Sequence, residues 1–293
     1  MSGTNADYLV RATALEGRVR AFAVRTTGVV NEMHDRHGTS PVVTAALGRT
    51  ATAGLMMGAM LKGREKLTIQ VKGDGPAGQI VVDANALGEV RGYVDHPVVD
   101  LPLNAAGKLD VAGAVGREGA IYVIKDLGLK EPYRGSIPIV SGELGEDFTY
   151  YFAKSEQTPS AVALGVLVDV DWTVKAAGGF IIQLLPGLGD EDVELIEKQL
   201  AQLPPVTALF AEGTAPEDIL RRVLPDVQIL DRMDVRFQCF CSRERVEKTL
   251  ISLGGDELNK IIEEDQGAEV ICHFCNEKYG FEKHHLEELA GQL

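Results

Sequence analysis

The chain has 293 residues, of which 45% are hydrophobic and 25% are charged, and its formal net charge at pH 7 is -14. These values are typical of a globular protein and exclude a wholly disordered or fibrous one. The excess of acidic residues argues against nucleic acid as a partner, because affinity for a phosphate backbone comes mainly from Lys and Arg side chains.

The first twenty residues lack the basic region and the following apolar stretch of a secretion signal. The most apolar helical stretch, TAALGRTATAGLMMGAML, is interrupted by Arg49 and is rich in small residues. It therefore predicts a buried amphipathic helix and no membrane crossing. We expect a cytoplasmic protein with no membrane partner.

Residues 1–185 predict an α+β core domain dominated by antiparallel sheet. One long helix is expected in SPVVTAALGRTATAGLMMGAMLKG, with Ser40 as its N-cap and Pro41 at its first position. Hairpins are expected in LTIQVKGDGPAGQIVVDANALGEVRGYVD. Further strands are predicted in AIYVIKDL, DFTYYFAKS, AVALGVLVDVDW and GGFIIQLLPG.

Two segments in this region resemble active-site motifs, but their sequence context does not support a catalytic or binding site. GDGPAG, residues 73–78, matches a dinucleotide-binding fingerprint, but a strand-like segment follows it where a helix is required, so it predicts a hairpin turn. His34, Asp35 and His37 are expected in a polar turn before the long helix. The sequence also contains neither a G-x-S-x-G nucleophile elbow nor a Walker A motif, which favours a protein that is not an enzyme.

Residues 186–234 predict an amphipathic helical linker that is only conditionally folded. Asp190 can cap a first helix, and Thr214 with Glu217 can form a capping box for a second. Helices this short need docking partners for their apolar faces. The apolar positions of the two helices are Val193, Ile196, Leu200, Leu203, Ile219, Leu220, Val223 and Leu224.

Residues 235–293 predict a small domain that carries all four cysteines of the chain. Ser242 can cap one helix and Asp256 another. The segment AEVICHFCNEKYGFEK is expected to form a β-hairpin with two cysteines near its turn.

The four cysteines, Cys239, Cys241, Cys272 and Cys275, form a tetrathiolate zinc pattern, C-x-C followed by C-x-x-C. Two close pairs brought together by the fold can supply the four soft ligands that Zn²⁺ prefers at tetrahedral corners. The second pair has the usual knuckle spacing, whereas the first pair departs from common zinc ribbons. We therefore expect one Zn²⁺ per chain, with His273, His284 and His285 outside the ligand set.

The predicted zinc domain is too small to be stable on its own core. A structural zinc site contributes about 10 to 16 kcal/mol of apparent binding free energy, and a whole domain is stable by about 5 to 15 kcal/mol. Loss of the metal should therefore unfold this segment.

The cysteines have three possible roles. Spacing alone favours a static zinc staple. A redox switch is favoured by Cys241, which precedes a predicted helix N-terminus near Arg243 and Arg245, and by the strained ring that a C-x-C disulfide would close. A thiol-disulfide oxidoreductase using Cys272 and Cys275 is the third possibility, although such a C-x-x-C normally opens a helix in a βαβ setting.

The chain resembles, over nearly its whole length, the redox-regulated heat-shock chaperone family of thirty-three kilodaltons. The resemblance rests on DYLVRA, SPVVTAALGR, VKGDGPAG, RGYV, GGFIIQLLPG, FQCFCSRERVEKTL and CHFCNEKYGF. It implies an ATP-independent holdase that is dormant when reduced and bound to zinc through Cys239, Cys241, Cys272 and Cys275.

The resemblance also implies how such a protein responds to oxidative stress. Oxidation would expel the zinc and join Cys239 to Cys241 and Cys272 to Cys275. The zinc domain and the linker would then lose structure, and an active homodimer would bind unfolded client proteins.

Overall fold

The computed structural model describes residues 6–293, which divide into two compact units between Gln238 and Cys239. The first unit contains β1 (Tyr8–Ala14), β2 (Val19–Arg25), α1 (Thr27–His37), α2 (Pro41–Gly58), β3 (Lys66–Gly73), β4 (Gln79–Asn85), β5 (Glu89–Val94), α3 (Val111–Val115), β6 (Gly119–Asp126), β7 (Tyr133–Pro138), α4 (Leu144–Lys154), β8 (Ser160–Val168), β9 (Val174–Leu184), α5 (Asp190–Gln202), α6 (Val206–Ala211), α7 (Pro216–Val223), β10 (Gln228–Asp234) and β11 (Arg236–Phe237). The second unit contains α8 (Arg243–Ser252), α9 (Gly255–Glu264), β12 (Gly267–Ile271), β13 (Lys278–Glu282) and α10 (Lys283–Ala290).

The first unit is built on two sheets, which confirms the predicted α+β class with antiparallel sheet. The first sheet has the strand order β10-β1-β2-β9-β8, and the second has the order β11-β5-β4-β3-β6-β7. Every pairing is antiparallel except that of β11 with β5. The GDGPAG segment connects β3 to β4 as a hairpin turn, as predicted.

Helix α2 is the long helix predicted from the sequence, and it packs against both sheets. Ser40 is its N-cap residue, but the Ser40 hydroxyl donates to the Val99 carbonyl and makes no cap bond. All residues of α2 except Pro41 and Arg49 are buried, so the helix has no solvent-exposed polar face and is not amphipathic. Arg49 forms an ion pair with Glu143. Within residues 6–293, no helix is long and apolar enough to cross a membrane.

The predicted linker helices exist as α5 and α7, with the short α6 between them, and we call α5–α7 the outer layer. Its apolar side chains pack on the face of the first sheet that points away from α2. The sheet contributes five alanines to this contact, Ala12, Ala14, Ala21, Ala23 and Ala176, and five larger residues, Tyr8, Val10, Val19, Phe180 and Ile182. The outer layer contributes Ile196, Val206, Leu209, Phe210, Ile219, Leu220 and Val223.

Several local predictions were wrong. DFTYYFAKS is not a strand but the end of α4, because Leu144, Phe148, Tyr151 and Phe152 recur at helical spacing and are buried. His34, Asp35 and His37 lie in the last turn of α1, where a loop was expected.

The predicted caps also differ in detail. Helix α7 begins after Ala215, so Thr214 and Glu217 form no capping box, and the Glu217 carboxylate accepts a hydrogen bond from Tyr8. Asp190 and Asp256 each lie within the first turn of a helix, preceded by the N-cap residues Gly189 and Gly254. Acidic side chains at these positions still favour the helix N-terminus electrostatically.

The second unit has a core of only six buried residues besides Cys275, namely Leu250, Leu258, Ile262, Phe281, Leu286 and Leu289. They come from α8, α9, β13 and α10. A core of this size is small for independent stability, which agrees with the predicted need for a metal. The predicted domain limits, 1–185, 186–234 and 235–293, remain predictions, since the division at Gln238 places the outer layer with the first unit.

Candidate metal centre

Cys239 and Cys241 lie in the extended segment that leads into α8. The helix begins after Ser242, whose hydroxyl accepts a hydrogen bond from the Arg245 backbone amide, as predicted. An oxygen side chain at this position satisfies one of the free amide groups of the first turn. Ser242 thereby fixes the start of α8 two residues after the second cysteine.

Cys272 and Cys275 lie in the turn between β12 and β13, which confirms the predicted hairpin. The Cys272 carbonyl accepts from the backbone amide of Asn276, and the Cys272 amide donates to the Glu277 carbonyl. Asn276 adopts a left-handed conformation, with a φ of 57°. Asn tolerates this region better than most residues, and the turn brings both thiols to one side of the hairpin.

The four Sγ atoms lie within 4.8 Å of one another. The Sγ atoms of Cys239 and Cys272 are 3.7 Å apart, and those of Cys241 and Cys275 are 3.3 Å apart. A tetrahedral Zn²⁺ with Zn–S bonds of about 2.3 Å requires sulfur atoms about 3.8 Å apart. The donor set and its spacing therefore fit a tetrahedral thiolate-bound metal.

The site is partly shielded from solvent. Cys275 is buried, and Cys239, Cys241 and Cys272 are half-buried. Burial raises the pKa of the Cys272 and Cys275 thiols, because the thiolate loses its hydration. A coordinated divalent cation reverses this preference and deprotonates a thiol outright.

Tyr279 of β13 lies beside the thiol cluster, although no sequence motif indicated a role for it. Its hydroxyl donates to Cys241 Sγ at 3.2 Å, and this contact raises the pKa of the phenol. Hydrogen bonds of this kind orient and tune metal ligands. The available signal was its position four residues after Cys275 in the segment CNEKYGF.

The two arginines expected near Cys241 make contacts elsewhere in the second unit. Arg245 donates to the Phe240 carbonyl at 2.8 Å. Arg243 donates to the Gly280 carbonyl at 3.0 Å, and its guanidinium lies over the Phe281 ring. Arg245 thereby ties α8 to the segment that precedes it, and Arg243 ties α8 to the hairpin.

The histidines lie outside the cluster. Over residues 6–293, the group of side chains placed to share one metal ion consists of the four cysteines alone. His284 and His285 lie near Glu282 and Glu247, respectively.

Comparison with known proteins shows similarity over nearly the whole chain. The family model described as "Hsp33 protein" matches residues 7–282. The chain is 57% identical over 287 residues to the "33 kDa chaperonin" of Bacillus subtilis and 56% identical over 289 residues to that of Bacillus velezensis. Each alignment covers 98% of this chain and 99% of the relative.

A solved structure has the same fold. The crystal structure of the 33 kDa chaperonin (heat shock protein 33 homolog) from Thermotoga maritima matches with a TM-score of 0.92 and 39% sequence identity. The match covers 98% of this chain and 99% of that one.

Proposed function

The chain belongs to the Hsp33 chaperone family, and from this premise we propose that it is a redox-regulated, ATP-independent holdase of the cytoplasm. The observation that carries the proposal is the cluster of four thiols within 4.8 Å of one another. Such a cluster can exist either as a ligand set or as two disulfides, and a switch requires both states.

In the dormant state, Cys239, Cys241, Cys272 and Cys275 hold one Zn²⁺ per chain. The metal supplies a cross-link of about 10 to 16 kcal/mol between the start of α8 and the β12–β13 hairpin. The small core of the second unit gives a reason for this dependence. Tyr279 donates its proton toward Cys241 and orients that ligand.

In the activated state, we propose that Cys239 joins Cys241 and Cys272 joins Cys275. Each pair of thiolates gives up two electrons as one S–S bond forms, and one peroxide molecule takes up these electrons together with two protons from the solvent to become two water molecules. The oxidised sulfurs no longer offer four thiolates, so the cross-link within the second unit is lost.

The outer layer connects this change to client binding. Its apolar side chains are covered by the first sheet in the resting fold. We propose that the unfolding of the second unit lets the linker, residues 186–234, lose structure, so that its apolar residues become available to unfolded or partly folded proteins. The active form is proposed to be a homodimer, with neither nucleic acid nor membrane as a partner.

The position of the second cysteine pair disfavours a thiol-disulfide oxidoreductase. Cys272 and Cys275 lie in a hairpin turn followed by β13, whereas a catalytic C-x-x-C benefits from a helix N-terminus that stabilises the thiolate. An oxidoreductase would catalyse repeated reduction of insulin disulfides, and a holdase would not.

The deciding experiment is light scattering from a chemically unfolded client diluted into buffer. Reduced, zinc-loaded protein is compared with the same protein after peroxide and mild heat, while a chromophoric chelator records zinc release. The proposal expects suppression of aggregation only by the oxidised, zinc-free form. Zinc that survives peroxide, with no suppression in either state, would instead indicate a static staple.

A further inference from the structure

Residues 228–238, which we call the strap, lie along the edges of both sheets of the first unit. β10 pairs antiparallel with β1 at the edge of one sheet, and β11 pairs in parallel with β5 at the edge of the other. Exposed sheet edges readily accept further strands, so a covering segment protects them. The strap ends next to Cys239 in the sequence.

Backbone hydrogen bonds fasten the strap along its length. The amide of Val235 donates to the Asp7 carbonyl at 3.2 Å, that of Arg236 to Gly88 at 3.0 Å and that of Gln238 to Val90 at 2.9 Å. Most side chains of β10 are exposed, with only Ile229 and Met233 half-buried. The edge of β1 is therefore occupied by a strand none of whose side chains is fully buried, and strand pairing of this kind tolerates many sequences.

The residues of β1 that face the strap can be identified. The Asp7 carbonyl and the Leu15 amide both bond toward this side, the latter to the carboxylate of Asp226. β1 pairs with β2 without a register shift, and backbone groups alternate in direction along a strand. The backbone amides and carbonyls of Leu9, Arg11 and Thr13 therefore also face the strap, while those of Val10 and Ala12 face β2.

We propose that, once the strap leaves, the edge of β1 binds an extended segment of an unfolded polypeptide as an antiparallel strand. The inference rests on the proposed function, because oxidation is what frees the strap along with the linker. The ligand is recognised by its free backbone amides and carbonyls. Apolar side chains of the ligand take the place of Met233 on the α2 side of the sheet and of Ile229 on the side of the outer layer, since a register shift in the β1–β10 pairing puts these two residues on opposite faces. This mode of binding suits clients of unrelated sequence.

Residue-resolved hydrogen exchange tests the proposal in the full chain, with reduced carboxymethylated α-lactalbumin as the unfolded, thiol-free probe. The amides of Leu9, Arg11 and Thr13 should lose protection by about tenfold or more on oxidation and regain it when the probe binds. Val10 and Ala12 are internal controls, because their bonds to β2 persist throughout.

Three outcomes would overturn the inference. In the first, the amides of Leu9, Arg11 and Thr13 stay protected on oxidation. In the second, these amides continue to exchange while the probe is bound and aggregation is suppressed. The second outcome leaves the proposed function intact and refutes only the binding mode. Protection that returns with rising protein concentration alone would assign the edge to a second copy of the chain.

A pair of proline variants tests the edge without oxidation. Asp231 is paired with Arg11, so its amide faces β1, whereas the amide of Arg232 bonds to the Asp231 carboxylate. Proline removes the backbone donor. Asp231→Pro should therefore loosen the strap and raise the affinity of the reduced protein for the probe by about tenfold, about 1.4 kcal/mol, and Arg232→Pro should not.

Asp231→Ala removes the ion pair with Arg11, and Arg232→Ala removes the stacking on Tyr8. These two variants therefore measure how much of each proline effect comes from the lost side chain. In the Asp231→Pro protein, the three β1 amides could exchange freely without any binding of the probe. That result would refute the binding mode, whether or not oxidation activates the chain. Amides that stay protected in this variant would refute the premise that backbone bonds hold the strap.

Discussion

The Tyr279 hydroxyl of β13 donates to Cys241 Sγ across 3.2 Å, and so links the β12–β13 hairpin to the segment before α8. A donor at this distance withdraws electron density from the sulfur and fixes the direction of its lone pairs. Tyr279 is thus a positioning residue for the candidate metal centre.

Tyr279→Phe should speed the reaction of the centre with peroxide. Loss of one hydrogen bond, worth about 0.5 to 1.5 kcal/mol, corresponds to an increase of about two- to tenfold in the rate of zinc release. The rate is measured with a chromophoric chelator under excess peroxide. Tyr133→Phe, at an exposed tyrosine of the first unit, is the control and should leave the rate unchanged.

Cys272→Ser with Cys275→Ser should abolish zinc binding and unfold residues 239–293, because two of the four ligands are lost from a unit with a small core. The variant should bind unfolded clients without oxidant. Metal analysis, circular dichroism and light scattering measure the three effects. A variant that stays folded, inactive and responsive to peroxide would contradict the proposed switch.

Gly165→Ala should weaken the docking of the outer layer. A Cβ at Gly165 would lie 2.5 Å from Thr207 Cγ2 and 2.8 Å from Val206 Cγ1, both side chains of α6. Overpacking of this kind costs about 1 to 3 kcal/mol. Limited proteolysis should therefore cut residues 186–234 faster, and activation by peroxide should be quicker.

Gly145→Ala is the matched control for that experiment. A Cβ at Gly145 would meet the Val162 carbonyl at 3.6 Å, an ordinary contact within the first unit. Its proteolysis and activation should equal those of the wild type. Equal rates in both variants would show that the contact between α6 and β8 does not hold the outer layer.

Asp7→Asn should stabilise the first unit at pH 8 but not at pH 4. Burial raises the pKa of Asp7 to about 6, against the opposing hydrogen bond from the Val29 amide. The folded state therefore binds the proton more tightly than the unfolded state, and stability is lost as the pH rises from about 4 through 6. Asn keeps an acceptor for Val29 without the buried charge.

The expected gain at pH 8 is about 1 to 2 kcal/mol, measured by urea unfolding with fluorescence from Trp172, the single tryptophan of the chain. Trp172 lies in the first unit and so reports on the part that contains Asp7. A gain of the same size at pH 4 and pH 8 would show that the ionised carboxylate is not the destabilising form.

The sequence was most informative where a residue type had one dominant use. The cysteine spacing predicted the candidate ligand cluster, and the run of small and apolar residues around Gly48 and Gly54 predicted α2. A site whose chemistry depends on residue type and spacing can be predicted from the sequence alone. The ligand roles and the disulfide pairing remain predictions.

The sequence did not predict features that depend on backbone pairing, such as β10 and the contact between Tyr279 and Cys241. QILDRMD has no alternation of apolar and polar residues, so β10 could not be distinguished from the helical linker around it. Its pairing with β1 uses main-chain groups that every sequence possesses. The contact of Tyr279 with Cys241 likewise depends on the hairpin register, which the spacing of cysteines does not specify.

The first sheet separates two apolar clusters, with α2 packed on one face and the outer layer on the other. Side chains of neighbouring strand residues point to opposite faces, so loss of the outer layer removes no residue from the cluster around α2. The outer layer can therefore act as a separate cooperative unit, or foldon, with its own opening free energy. Substitutions in α5–α7 can then adjust the threshold for opening while the global stability of the core remains constant.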